Sequence, residues 1–138
     1  MQLDQVRAIV TGGASGLGFA VARHLVGHGA RVAVLDVNDE KGHAAARELG
    51  ASATYRRADV TSEDGVAAAL TDAQAWLGGL DVAVSFAGIV GACVLLCKEG
   101  AMPLKTFEAT GAVNRIGTFN CGKAAASLMQ HNAPGDDG

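Results

Sequence analysis

In "RAIVTGGASGLG", Arg7 to Gly18, a short β-branched run passes through a glycine-rich turn into the start of a helix. Arg7–Val10 predicts a strand. "GLGFAVARHLVGHG" then predicts a helix, with Leu17, Val21 and Leu25 recurring on one face and Gly29 ending it. A glycine turn in this strand-to-helix setting suits a phosphate. Gly12 permits a sharp turn, Gly16 leaves room for a pyrophosphate to approach the backbone, and Gly18 lets the helix pack closely on the sheet. The helix start offers unpaired N–H groups and partial positive charge, and Ser15 can add a hydroxyl. The spacing is Gly-x-x-x-Gly-x-Gly rather than the commoner Gly-x-Gly-x-x-Gly. A tight turn without a ligand is the plain alternative.

The following segments alternate in the same way. Arg31–Asp36 ("RVAVLD") is an uninterrupted apolar strand, of the kind buried on both faces of a parallel sheet. "DEKGHAAARELG" predicts a second helix, closed by Gly50, and "ATYRRADV" contains a third strand. "TSEDGVAAALTDAQAWLGG" predicts a third helix, capped by Thr61 or Ser62, with Val66, Leu70, Ala73 and Leu77 facing inward. "DVAVSFAG" is a fourth strand. A looser segment, Ile89 to Met102, leads to a fourth helix from near Pro103 to about Gln130, whose regularity Gly111, Gly117 and Gly122 reduce. Strand–helix alternation implies right-handed crossovers and helices on both faces. The expected fold is therefore α/β, a doubly wound parallel sheet (Rossmann-like) of about four strands and four helices. Its site lies at the carboxyl ends of the strands.

Asp36 ends the second strand, where a carboxylate can accept hydrogen bonds from both hydroxyls of an adenosine ribose and repel a 2′-phosphate. Val37 follows it, and Gly12–Gly18 contains no Arg or Lys. That pattern favours NAD over NADP. Asp36 also reads as a helix cap. Asp59 and Val60 close the third strand region and suit the edge and face of an adenine ring; Asp59 taken alone reads equally as a turn former.

The 138 residues suit one domain, 1–138, and "APGDDG" makes 132–138 an expected disordered tail. A net charge of −3 without clustered Lys and Arg argues against nucleic acid. No long apolar span points to a membrane and no targeting segment is apparent, so a cytoplasmic location is expected. Cys93, Cys97 and Cys121 read as reduced, packed thiols; the Cys93–Cys97 spacing without a flanking His or acid does not suggest a metal site.

"TGGASGLG", Asp36, "ADVTSE", "SFAG" and "VNRIGTFN" together resemble the short-chain dehydrogenase/reductase family in order and spacing, across essentially the whole chain. "GGASGLG", "ADVTSE", "DVAVSFAGI" and "GTFN" are most like its branch of type 2 3-hydroxyacyl-CoA dehydrogenases. The resemblance implies that Ser15, Leu17, Asp36, Asp59, Val60 and Phe86 line an NAD site, with Ala87 and Gly88 continuing the wall under the nicotinamide ribose. It makes Asn114 the Asn of a catalytic tetrad, interrupting the long helix so that its main chain holds a water of a proton relay. It also implies an alcohol, ketone or hydroxyacyl-CoA substrate and a homo-oligomer.

Three departures stand out. Ser85 and Phe86 replace the family's usual Asn-Asn or Asn-Cys before Ala-Gly, and the Phe86 ring either packs on the adenosine or crowds it. Arg115 replaces an apolar residue on a helix that commonly forms a dimer face. The family's chemistry also needs a Tyr with a Lys four residues on and a Ser before it. Here the only tyrosine is Tyr55, and Asp59 stands four residues on. The expectation is therefore a chain that ends before the catalytic Ser, Tyr and Lys and has no turnover alone. Its alternative is a non-catalytic NAD-binding or interaction module. The short sheet should also leave an exposed edge and a half-covered long helix.

Overall fold

A computed structural model describes residues 2–91, 95–98 and 100–133. In chain order the elements are β1 (Arg7–Thr11), α1 (Gly16–Gly27), β2 (Arg31–Asp36), α2 (Asp39–Leu49), β3 (Ala53–Arg57), α3 (Glu63–Leu77), β4 (Val82–Ser85), β5 (Leu96–Cys97), β6 (Gly100–Ala101), α4 (Leu104–Gly111) and α5 (Thr118–Met129). A π-helical stretch, Ala112–Gly117, joins the last two helices. The first four strands form one parallel sheet in the order β3-β2-β1-β4. The chain builds outward from β1 to β3, then crosses by α3 to the other side of β1. The order thus reverses between β1 and β4, which puts a crevice at the carboxyl ends of those two strands.

Strand periodicity splits the core into two layers. Ile9, Ala33 and Leu35 point to one face, where Val66, Leu70, Ala73 and Leu77 of α3 and Cys121 and Ala125 of α5 cover them. Ala8, Val10, Val32 and Val34 point to the other, under Ala22, Leu25 and Val26 of α1 and Ala46 and Leu49 of α2. Each fully buried Val or Leu contributes about 1.5–3 kcal/mol of transfer free energy. The expected inward stripe of α3 is therefore the observed one.

That of α1 is not. Leu17 is 74% exposed, while Gly18 and Ala22 are buried. A Cβ on Gly18 would lie 2.3 Å from the Gly12 carbonyl oxygen, so α1 seats its small-residue side on the glycine turn. This rotation turns Leu17 outward at the cleft. At the other end Gly29, at φ +90°, stops the helix: its N–H donates to Val26 O (3.0 Å) and the Ala30 N–H to Leu25 O (3.1 Å).

A two-sided clamp ties β1 to β4. Arg7 Nε donates to Asp81 Oδ2 at 2.8 Å and Nη2 to Oδ1 at 2.6 Å, and the Arg7 N–H donates to Oδ2 at 3.0 Å. This hydrogen-bonded guanidinium holds the Asp81 carboxyl below its usual range, and the carboxylate raises Arg7 in turn.

The segment 89–102, expected to be loose, contains the short antiparallel β5–β6 pair. β4 is a sheet edge with Ala83 and Ser85 exposed, and α4 has no buried residue, as expected of a short sheet with a half-covered helix. Cys121 is buried, and burial pushes its thiol pKa up. Cys93 and the tail from Pro134 onward fall outside the described residues, and so does the Cys97 side chain. No helix among the described residues is long and apolar enough to cross a membrane.

Candidate functional site

A cleft of about 450 Å3 opens where β1, β2 and β4 end. That volume lies within the range of small-molecule sites. Gly12, Ser15, Gly16, Leu17 and Gly18 line it from the turn, Asp36 from β2, Asp59 and Val60 from beyond β3, and Phe86, Ala87 and Gly88 from beyond β4. Residues far apart in sequence are thus gathered on one cavity, joined by Val37, Ala58, Ile89 and Val113.

The glycines have distinct causes. Gly12 sits at φ +64°, and a Cβ there would fall 2.6 Å from the Ala87 N atom, so the turn and the β4 loop can meet only at a residue without a side chain. Gly16, at φ +56°, has nothing within 4 Å of its missing Cβ, so space is left above the helix start.

The start of α1 differs from those of its neighbours. Asn38 caps α2 by accepting from the Lys41 N–H at 2.9 Å, and Asp39 and Glu40 follow. Ser62 caps α3 by accepting from the Gly65 N–H at 3.1 Å, with Glu63 and Asp64 in the first turn. Ser15, at the N-cap of α1, makes no side-chain capping bond, and no acid follows in the first turn. The positive end of this helix therefore faces the cleft without a carboxylate of its own. A bound phosphate would supply both missing features, so the residues present fit a dinucleotide.

Asp36 is half-buried. Its Oδ1 accepts from the Asn38 N–H at 3.1 Å and its Oδ2 from the Ala14 N–H at 3.3 Å. Each oxygen retains a lone pair for a ribose hydroxyl. Asp59 both lines the cleft and braces a turn: Oδ1 accepts from the Thr61 N–H (2.9 Å) and hydroxyl (2.7 Å), which hold its carboxyl below the usual range. Phe86 is 37% exposed on the cleft wall, and its N–H donates to Thr11 O at 3.0 Å. Ser85 pairs with Thr11 at the end of β4.

Asn114 lies in the π-helical stretch, so the long helix is interrupted at this residue. Its Oδ1 accepts from the Ile89 N–H at 2.8 Å, and its Nδ2 donates to Ile89 O at 2.9 Å. The side chain thereby fixes the loop after β4, and its neighbour Val113 lines the cleft. Arg115 is exposed beside it.

Tyr55 lies elsewhere. It is buried, and its hydroxyl donates to Asp36 O at 3.0 Å and Asp39 Oδ1 at 2.8 Å. Burial first, then the Asp39 carboxylate, push its pKa well above the usual phenol value. A proton acceptor working near neutral pH needs the opposite shift. A Cβ on Gly42 would fall 2.1 Å from the Tyr55 ring, so that glycine exists to seat it.

Three supporting residues were not singled out from sequence. Thr11 is buried at the end of β1, and its hydroxyl accepts from the Ala87 N–H at 3.4 Å. Asn120 is buried on α5, and its Nδ2 donates to Val60 O at 3.0 Å. Arg57 lies opposite Asp36 in the β2–β3 register, so a basic residue does stand near the acid that ends β2. Its signal was the parallel pairing of β2 and β3, which makes their last residues neighbours.

The family described as short chain dehydrogenase matches residues 6–136. The chain is 46% identical to 3-hydroxyacyl-CoA dehydrogenase type-2 of Bos taurus over 133 residues, covering 95% of this chain and 51% of that protein. It is 43% identical to the Homo sapiens protein of the same name over 133 residues, with the same coverage. It is also 45% identical to momilactone A synthase of Oryza sativa subsp. japonica over 123 residues, 88% of this chain and 44% of that protein. The chain spans about half the length of the curated relatives it matches. With its glycine turn and Asp36 on one cleft, Asn114 bonded to Ile89 of its wall, and this extent of similarity, the chain belongs to the short-chain dehydrogenase family.

Proposed function

We propose that the cleft binds NAD in preference to NADP, in a protein that interconverts hydroxyl and ketone groups on a small alcohol or a 3-hydroxyacyl-CoA. One observation carries the reading: the start of α1, without a capping side chain or an acid, faces the same cleft as the Asp36 carboxylate. Gly12, Gly16 and Gly18 would let the pyrophosphate reach the helix N–H groups while Ser15 adds a hydroxyl. Asp36 would hold the ribose hydroxyls, Leu17, Asp59, Val60 and Phe86 would line the adenosine part, and Ala87 and Gly88 the nicotinamide ribose side. When bound, the nicotinamide supplies hydride transfer. Asn114 would present its main chain to a proton-relay water. Phe107, Ile116 and Phe119, exposed on the long helix, suit self-association.

A second reading, a module that binds NAD without turnover, is favoured by Tyr55. This sole tyrosine does not line the cleft and its hydroxyl is bonded to Asp36 O and Asp39 Oδ1, so it is not assigned the proton-acceptor role. We expect no turnover by this chain on any alcohol or hydroxyacyl-CoA. Calorimetric titration with NAD should give saturable one-site binding that Asp36→Ala weakens about tenfold, the size of one lost bidentate acceptor. Unchanged binding in Asp36→Ala, or tighter binding of NADP by the parent, would overturn the assignment. Turnover by the pure chain would overturn the second reading.

A further inference from the structure

Beside the Asp36 end of the cleft, behind Val37, stands a cation that is already engaged. Arg57 Nη1 donates to Val37 O at 2.7 Å and to Asp39 Oδ2 at 2.9 Å. Val37 lines the cleft and directly follows Asp36. A full positive charge therefore rests against the backbone one residue from the carboxylate that faces the ribose. Asp39 is held from its other side as well, because Oδ1 accepts from the Tyr55 hydroxyl at 2.8 Å. Tyr55 is buried and seated on Gly42, so Asp39 has a buried support on one side and the exposed Arg57 on the other.

We infer that Asp39 is a selectivity latch, which keeps Arg57 neutralised against the Val37–Asp39 turn and so denies it to a 2′-phosphate. This rests on the dinucleotide reading above. An arginine paired in register with Asp36 is otherwise suited to the phosphate that marks NADP, since its planar fork matches phosphate oxygens. The ion pair is exposed, with side chains 64% and 57% accessible, so it is screened and open to competition. Asp36 repels a 2′-phosphate directly, and Asp39 neutralises a neighbouring charge that would offset this repulsion.

The test compares nucleotide affinities in four proteins: the parent, Asp39→Asn, Arg57→Ala and the double variant. Asn retains an acceptor for the Tyr55 hydroxyl, and Arg57 is on the surface, so each substitution leaves the core contacts in place. Asp39→Asn should tighten NADP binding about fivefold while moving NAD by about twofold or less, the scale of one exposed charge pair. Arg57→Ala in the Asp39→Asn background should abolish that gain, and about 0.5 M salt should erase it too. A gain that survives loss of Arg57 would mean that Asp39 acts only by its own repulsion, which overturns the latch. No gain in Asp39→Asn overturns it as well. If the parent bound neither nucleotide, the dinucleotide reading itself would fail; NAD binding with an unresponsive NADP affinity rejects the latch alone.

Discussion

Two glycines, one ending the π-helical stretch and one within α5, should respond to alanine with opposite signs. Gly117 ends the π-helical stretch and is buried; a Cβ there would lie 2.5 Å from Val60 Cγ2 and 2.9 Å from Val60 Cβ. Ordinary carbon contacts need about 3.5–4.0 Å, so roughly 1 Å must be made up. Val60 cannot easily yield, because a β-branched side chain is stiff at χ1 and its own carbonyl is held by Asn120 Nδ2. Overpacking of this kind costs about 1–3 kcal/mol, against about 1 kcal/mol gained from alanine's higher helix propensity. The stiff Val60 puts the clash toward the upper part of that range, leaving Gly117→Ala less stable by up to about 2 kcal/mol, or up to about 6 °C in Tm for a chain of this size. Gly122 has nothing within 4 Å of its missing Cβ, so only the propensity gain applies and Gly122→Ala should melt about 2–3 °C higher. Thermal and urea melts at low protein concentration measure both. Val60→Ala removes Cγ2, so combined with Gly117→Ala it should show favourable coupling. If Gly117→Ala were as stable as Gly122→Ala, the close approach of the π-helical stretch to Val60 would be refuted. Because Val60 lines the cleft, Gly117→Ala should also weaken nucleotide binding.

Tyr55 is the only tyrosine, so its titration can be read directly by tyrosinate absorbance. Its folded pKa is raised, so its stabilisation is fully present below about pH 10, the unfolded value, and lost as pH rises further. The folded protein should show no tyrosinate signal at pH 10.5, and Tyr55→Phe should flatten the alkaline fall in stability. An ordinary titration curve in the folded state would contradict this. Asp81 has the opposite sign: its folded pKa is lowered, so its contribution is present above the unfolded value of about 3.9 and lost as pH falls through the folded one. Asp81→Asn should therefore lower stability at pH 7, by about 1 kcal/mol after allowance for partial exposure, and the deficit should shrink below pH 3. A deficit independent of pH would show that the Arg7 clamp is not electrostatic. Replacing both Phe107 and Phe119 by Ser should shift any dimer seen by light scattering toward monomer, and an unchanged mass would remove these residues from a self-association surface.

Most of the scaffold was legible because its signals are local. The alternation of Arg7–Thr11, Arg31–Asp36, Ala53–Arg57 and Val82–Ser85 with helical runs needs only backbone sterics and periodicity. The α3 stripe from Val66 to Leu77 was equally plain, since four core contacts repeat at helical spacing. Leu17 misled because the same periodicity fits a side chain turned into a cleft, and only the contact between Gly18 and Gly12 O sets the rotation of α1. The β5–β6 pair was too short for any periodicity to reveal it.

The glycine turn, the acid ending β2 and the strand–helix alternation were determined by residue order alone, because each depends on a chain segment and its immediate neighbours. The tertiary structure decided how those pieces meet. It separated Gly117, which admits Val60, from Gly122, which meets open space, though both are helical glycines in one sequence run. It brought Arg57 beside Asp36 through a strand register, and it set Tyr55 against Asp36 and Asp39 rather than in the cleft. Contacts of this kind join residues remote in sequence, and their sign depends on distances of a few tenths of an ångström, which no local pattern encodes.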